Sequence, residues 1–326
     1  MSRVFEALQK TRAGRKSEDA TTPLSVQSLI QRIESADALE RKASVEPREE
    51  SVPGVTSIIA QPGATSSHRL GLAADFRTPS PVLKPAVSRE VFEQFRSLQI
   101  EPALDARLVS ISGLQGPAPE AFRLLAARVR HIQKCQPLHK LVITSTTAKE
   151  GKSFVSGNLA CTLALDATQK ILLIEGDLRC PSLSRLFGIR PPAGIGDYLS
   201  ATATLQESIF KLEGAGIWIM PAGSRSTTPL DFLRPAPLTE MLDQLAHWFD
   251  WVIVDAPPTL PLADTGIWER VVDGILLVAR QGMTRKGLLA KGLEATELDK
   301  VIGTVLNCSE ESLQYGDYYN APAASE

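Results

Sequence analysis

The sequence predicts an α/β protein with a doubly wound, mostly parallel sheet, and three observations carry that expectation. Short continuous apolar runs alternate with amphipathic stretches from about Ser88 to Cys308, the pattern of strands buried on both faces by crossover helices. One run, Leu141–Ser145, leads through Thr146-Thr147-Ala148-Lys149-Glu150-Gly151-Lys152-Ser153 into the helical pattern Phe154–Leu165. Strand, small-residue loop, Gly-Lys-Ser and helix is the setting of a phosphate-binding loop. Two further apolar runs end in acids: Ile171–Glu175, followed by Asp177, and Trp251–Asp255.

In chain order, Val4, Phe5 and Leu8 form a small apolar face among Arg3, Lys10 and Arg12, short enough to fray unless a partner or membrane surface receives it. Residues 13–87 are rich in Ser, Thr, Pro and charge, with Phe76 their one aromatic. Such a segment buries too little apolar surface to offset the entropy of ordering. Residues 1–87 are therefore expected to form a mostly disordered extension, in which Leu29, Ile30, Ile33 and Leu39 allow one short amphipathic helix. The folded domain is expected over residues 88–308. After the phosphate loop its strands are expected at Ile171–Glu175, Gly216–Met220, Trp251–Asp255, Gly274–Ala279 and Ile302–Leu306, with helices at Pro237–Phe249 and Lys286–Leu298 between them. Residues 309–326 are polar and acidic and are expected to form a flexible tail.

The chemistry follows from placement. Loop N–H groups and the helix N-terminus offer donors and partial positive charge to phosphate oxygens. Thr147, Ala148, Lys149, Glu150, Gly151, Lys152, Ser153 and Phe154 are the expected nucleotide-binding stretch, with Lys152 reaching the β- and γ-phosphates and Ser153 ligating Mg²⁺. Ligands of open α/β sheets bind beyond the carboxyl ends of parallel strands, so Lys152, Asp177 and Asp255 should meet in one crevice. The loop departs from the consensus at its first glycine, which is Thr146.

A chain of 326 residues, 43% of them hydrophobic, holds one domain of about 200 residues plus extensions. A net charge of −2 gives no reason to expect a nucleic-acid partner. The four cysteines, Cys135, Cys161, Cys180 and Cys308, lack metal-type spacing and fit a reducing compartment. No apolar run reaches spanning length and no signal-peptide core is visible, so a cytoplasmic protein is expected.

Taken together, these motifs resemble the bacterial tyrosine kinases of capsule and exopolysaccharide synthesis, whose P-loop fold is shared with the division-site and partition ATPases. The resemblance runs from about Arg107 to Tyr319. Beyond the phosphate loop it rests on Glu175-Gly-Asp177-Leu-Arg179-Cys-Pro181, Met220-Pro-Ala-Gly223, Pro229-Leu-Asp-Phe-Leu233, Phe249 to Pro258 and Gly303-Thr-Val-Leu-Asn307. Three of the chain's four tyrosines, Tyr315, Tyr318 and Tyr319, lie in its last twelve residues. In that family such a cluster is the autophosphorylation substrate.

The resemblance implies ATP and Mg²⁺ as cofactors, and catalytic roles for Lys152, Asp177, Asp255 and Arg179. Asp177 would be the base-like carboxylate facing the tyrosine hydroxyl, Arg179 would lie beside the phosphates, and Asn307 would contact adenine. Ser153, Asp177, Asp255 and Glu175 would form the metal surroundings, with Glu175 standing where the family has Asp. Glu120 and Arg123 would contribute to a ring of identical copies, although the third position of that helical motif is Ala126. A look-alike, Glu93-Gln-Phe-Arg96, occurs upstream. A membrane polysaccharide co-polymerase as activator, a tyrosine phosphatase and a place at the inner face of the membrane are implied in the same way. Two alternatives stand beside the kinase: a partition-type ATPase switch, which carries a lysine where this chain has Thr147, and a degenerate kinase acting as a regulatory scaffold.

Overall fold

The computed structural model describes residues 55–60, 89–101, 108–113, 116–224, 233–260 and 264–309. These fall in one compact unit formed by Pro53–Gln61 and Leu83–Glu326. The expected helices near Val4 and Leu29, the Pro229 to Phe232 part of the family motif and all three tail tyrosines lie outside the described residues.

Among the described residues nine strands make one sheet: β1 (Val55–Ala60), β2 (Arg96–Gln99), β3 (Lys140–Ser145), β4 (Ile171–Glu175), β5 (Phe210–Glu213), β6 (Ile217–Met220), β7 (Trp251–Asp255), β8 (Gly274–Arg280) and β9 (Val301–Asn307). Their order is β1-β9-β8-β3-β7-β4-β6-β5-β2. Pairing is parallel from β9 through β6, as expected. The exceptions are the β5–β6 pair and the β1–β9 edge, both antiparallel.

Described helices are α1 (Arg89–Glu93), α2 (Pro117–Cys135), α3 (Lys152–Leu163), α4 (Leu183–Phe187), α5 (Ile195–Leu199), α6 (Pro235–Trp248), α7 (Asp264–Val271) and α8 (Lys286–Glu294). One core lies between the sheet and α2 and α3, with Phe122, Leu125, Val129, Val155 and Leu159 meeting Leu141, Ile143, Leu173 and Ile253. The other lies beneath α6 and α7, where Leu238, Leu242, Leu245 and Trp268 meet Val142, Leu172, Val252 and Val254. Alternate residues of the central strands thus feed opposite cores, which is why those strands read as unbroken apolar runs.

Several expectations are corrected. Six residues of the expected extension, Val55-Thr-Ser-Ile-Ile-Ala60, form β1 on the edge of β9, a short run of mostly β-branched residues inside an otherwise polar segment. β2 and β5 were not foreseen, because both are four residues long and Arg96-Ser-Leu-Gln has one apolar residue and Phe210-Lys-Leu-Glu two. The Glu93-Gln-Phe-Arg96 look-alike is not one helix, since α1 ends at Glu93 and Arg96 opens β2. Its Phe95 and the preceding Phe92 instead pack in an aromatic cluster with Trp218, Trp248 and Phe249, and the Lys170 ammonium lies 4.1 Å from the Phe92 ring centre. The helix expected over Lys286–Leu298 stops at Glu294, and Leu298–Lys300 form a separate 3₁₀ turn.

Candidate functional site

β3, β7 and β4 are neighbours in the sheet, so the phosphate loop after β3, Asp255 at the end of β7 and Asp177 just beyond β4 share one edge of the fold. The loop is tied to the segment after β7 by the backbone: Thr259 N–H donates to Ser145 O at 2.8 Å and Leu260 N–H to Thr146 O at 3.1 Å. Within the loop, Lys149 and Gly151 adopt positive φ, 68° and 97°. This alternation curls successive N–H groups toward one side. Gly151 caps α3, and a side chain there would collide with the Asn307 amide.

At the strand ends, Lys152 Nζ donates to Asp177 Oδ2 at 2.8 Å, with both side chains almost wholly buried. Burial alone would pull the Lys152 ammonium down, but the charges of Asp255, Asp177 and Glu175 and the Asp177 hydrogen bond carry it above its ordinary value. Asp255 is fully buried; among the described residues neither of its carboxylate oxygens accepts a well-aligned hydrogen bond. Burial pushes this carboxyl up, partly offset by Lys152 and then by the Ser153 and Ser156 hydroxyls, which lie close enough to lower it. Glu175, its register partner on β4, is raised well above the usual carboxylate range by burial first and by Asp255 second.

The structure brings together Lys152, Asp177, Asp255, Glu175 and Ser153, but it gives them distinct partners. Glu175 Oε2 accepts the backbone N–H groups of Ser182 at 3.0 Å and Leu183 at 2.6 Å, anchoring the start of α4, while Oε1 is buried and unpartnered. The Ser182 hydroxyl donates to the Ser153 hydroxyl at 2.7 Å. Among the described residues no group of three or more His, Cys, Asp or Glu is arranged to hold a metal ion. Mg²⁺ is a hard cation that takes one or two carboxylates and fills its shell with water and phosphate oxygens. The vacant oxygens of Asp255, near the Ser153 hydroxyl, fit that demand.

Other expected site residues serve the loop itself. The Glu150 carboxylate is buried and accepts from Thr147 N–H, the Thr147 hydroxyl and the Thr284 hydroxyl, at 2.9, 2.9 and 2.6 Å. Its side chain therefore folds the loop, and its backbone alone is left for a ligand. The Lys149 carbonyl accepts from Arg280. Asn307 donates to the Glu150 carbonyl at 2.9 Å, so it braces the loop. The Phe154 ring packs edge-on against Phe122 in the core. Arg179 is held by Asp264, with Nε to Oδ2 at 2.7 Å. Sequence reasoning missed Asp264, Thr284, Arg280 and Ser182, which lie far along the chain from the loop or in no recognisable motif.

On α2, Glu120 and Arg123 form an exposed pair at 2.7 Å, one turn apart. Ala126 is buried in the core, so an arginine at that position would have no exit to solvent. Arg130 donates to the Leu163 carbonyl, which engages it within the domain.

Glu175 supports a stability prediction. A carboxyl raised by folding holds its proton more tightly in the folded state, so its contribution is full below the unfolded pKa and is lost as pH rises through the folded one. Glutamine keeps an oxygen for Ser182 and Leu183 and removes the buried charge. In protein free of metal and nucleotide, Glu175→Gln should melt about 2–4 °C or more above wild type at pH 8, and the gap should close on acidification. Calorimetry across pH 5–8 checks this, and an unchanged gap would remove Glu175 as its source.

No family model matches the chain. It is 34% identical over 184 residues to the tyrosine-protein kinase CpsD of Streptococcus agalactiae, covering 55% of this chain and 80% of that protein. It is 29% identical over 203 residues to the tyrosine-protein kinase YwqD of Bacillus subtilis, covering 61% and 85%. Among solved structures, the kinase domain of the Escherichia coli tyrosine kinase ETK matches with a TM-score of 0.60 and 25% identity, over 73% of this chain and 96% of that one.

Proposed function

We infer that this chain, which belongs to the bacterial tyrosine-protein kinase family, is an ATP-dependent protein-tyrosine autokinase acting on Tyr315, Tyr318 and Tyr319 of another copy. The observation that carries this reading is Lys152 buried against Asp177 and Asp255, at the ends of three adjacent strands behind a phosphate-type loop. Phosphoryl transfer asks for positioning and charge stabilisation more than covalent catalysis. Loop N–H groups and Lys152 bind and orient the phosphates. When Lys152 exchanges its Asp177 partner for a phosphate oxygen, Asp177 is left as an acceptor for the proton of the incoming tyrosine hydroxyl, whose ordinary pKa is near 10. Asp255 and Ser153 would hold Mg²⁺, which when bound neutralises charge on the phosphoryl oxygens. Arg179, restrained by Asp264, would turn to the phosphates only by leaving that partner, and Asn307 would act on the nucleotide through the loop it braces.

The regulatory part of the reading concerns assembly at the inner face of the membrane, with a polysaccharide co-polymerase as activator and a tyrosine phosphatase as the opposing enzyme. Three phosphotyrosines add about −5 of charge to a segment that already carries Glu310, Glu311 and Asp317. The crevice presents Asp177 and Asp255, so the modified segment is repelled where the unmodified one is accepted. Unmodified protein is expected to associate through the α2 face around Glu120 and Arg123, and phosphorylated protein to dissociate. Light scattering with phosphotyrosine detection tests this on wild type and on a Tyr315/Tyr318/Tyr319→Phe variant, with and without ATP and Mg²⁺. Wild type should lose mass with ATP and the variant should not. Full modification with unchanged mass would overturn the assembly role, and absence of phosphotyrosine under all conditions would overturn the kinase in favour of a switch or scaffold.

A further inference from the structure

The departure at Thr146 has a counterpart 146 positions along the chain. Thr146 is fully buried at the first position of the phosphate loop, and its backbone is fixed by the Leu260 N–H. Its β-branched side chain has little rotamer freedom and points at Gly292, in the last turn of α8. A Cβ on Gly292 would lie 2.8 Å from both Thr146 Cγ2 and Thr146 Oγ1, and 3.1 Å from Thr259 Oγ1. Both hydroxyls are buried without a hydrogen-bond partner among the described residues. A glycine inside a helix costs stability relative to alanine, so local propensity does not explain Gly292.

α8 cannot move aside freely to admit a larger residue. Leu289 and Leu293 are buried, and the Thr296 hydroxyl donates to the Gly292 carbonyl at 2.8 Å. Just before α8, the Thr284 hydroxyl holds Glu150 at 2.6 Å. The Thr284–α8 segment therefore meets the phosphate loop twice, at Glu150 through a hydrogen bond and at Thr146 through close packing.

We propose that Gly292 is a positioning residue for the nucleotide site: α8 braces the phosphate loop, and the missing side chain at Gly292 is the seat that lets the loop begin with Thr146. The helix has no side chain at the one point where Thr146 takes the room. Gly292 touches no substrate and acts through Thr146 and the backbone that follows it.

The inference rests on the nucleotide-binding reading of the loop, and a two-residue cycle keeps the two separable. The experiment compares wild type, Gly292→Ala, Thr146→Ala and the double variant, measuring ATP affinity by titration calorimetry and melting temperature without ligand. Propensity alone would make Gly292→Ala stabilising. The brace predicts lower stability and ATP binding weakened by about tenfold or more, as expected for overpacking a tight contact. In the double variant most of both losses should be regained, because Thr146→Ala removes the two atoms nearest the new methyl. Gly292→Ala that binds ATP as wild type does, or losses that simply add in the double variant, would overturn the brace. If Gly292→Ala fails to fold, recovery of folding and binding in the double variant supports the proposal and its absence overturns it. Wild type that binds no ATP would refute the nucleotide reading, while the melting-temperature cycle still decides the contact.

Discussion

Lys152→Met should abolish ATP-dependent phosphotyrosine, with labelling at least about 10³-fold below wild type, as for loss of the main electrostatic contact to a transferring phosphoryl group. Methionine fills similar space without the charge, so the loop can still form. The structure adds a cost not visible in the sequence. Lys152 is buried against Asp177 and also offsets Asp255 and Glu175, and removing one partner of a buried pair costs about 3 kcal/mol. Asp255 and Glu175, both lowered by the Lys152 charge in the wild type, then take up protons more readily, so the variant should be least stable at high pH. Circular dichroism confirms folding, and phosphotyrosine immunodetection of protein incubated with ATP and Mg²⁺ gives the result. Undiminished labelling in a folded variant, free of contaminating kinase, would overturn the site assignment.

Asp177→Asn should lower kcat by about 10²–10⁴, the usual range for loss of a catalytic base, with a smaller effect on the KM for ATP. Asparagine retains an oxygen for the Cys180 N–H that now donates to Asp177 Oδ1 at 3.0 Å, so the turn after β4 survives. Its amide has no place to receive a tyrosine proton. Glu175→Asp is the natural comparison, and here the structure changes the expectation. If Glu175 only held metal-bound water, Asp would serve as well or better. Because Oε2 reaches two backbone N–H groups at the start of α4, an acid one methylene shorter should lose them. Lower stability with a modest loss of activity is the expected result. Equal losses in kcat from Asp177→Asn and Glu175→Asp would show that this division of roles is wrong.

The sequence by itself determined the architecture and the location of the site. Buried parallel strands need apolar residues on both faces, so β4 and β7 appear at their true bounds as Ile171–Glu175 and Trp251–Asp255, and β3 within one residue as Leu141–Ser145. The carboxyl end of each strand is fixed once the strand is, which placed Lys152, Asp177 and Asp255 at one edge before any coordinates. Four-residue strands such as β2, mostly polar and exposed, and β5, half polar, carry too few alternations to stand out, and β1 is a six-residue run set in a long polar stretch.

Only the tertiary structure decided which polar groups hold the loop. Glu150, Asn307 and Glu175 all sit in or beside nucleotide motifs, yet their side-chain atoms are committed to Thr284, the Glu150 carbonyl and the start of α4. The partners lie up to 157 positions away along the chain, beyond the reach of any local pattern. The same holds for Thr146, which reads as a flaw in the loop until α8 brings Gly292 against it. A short motif records what backbone geometry requires nearby, whereas the packing that fixes that geometry is assembled from segments with no shared periodicity, and it exists only once the chain has folded.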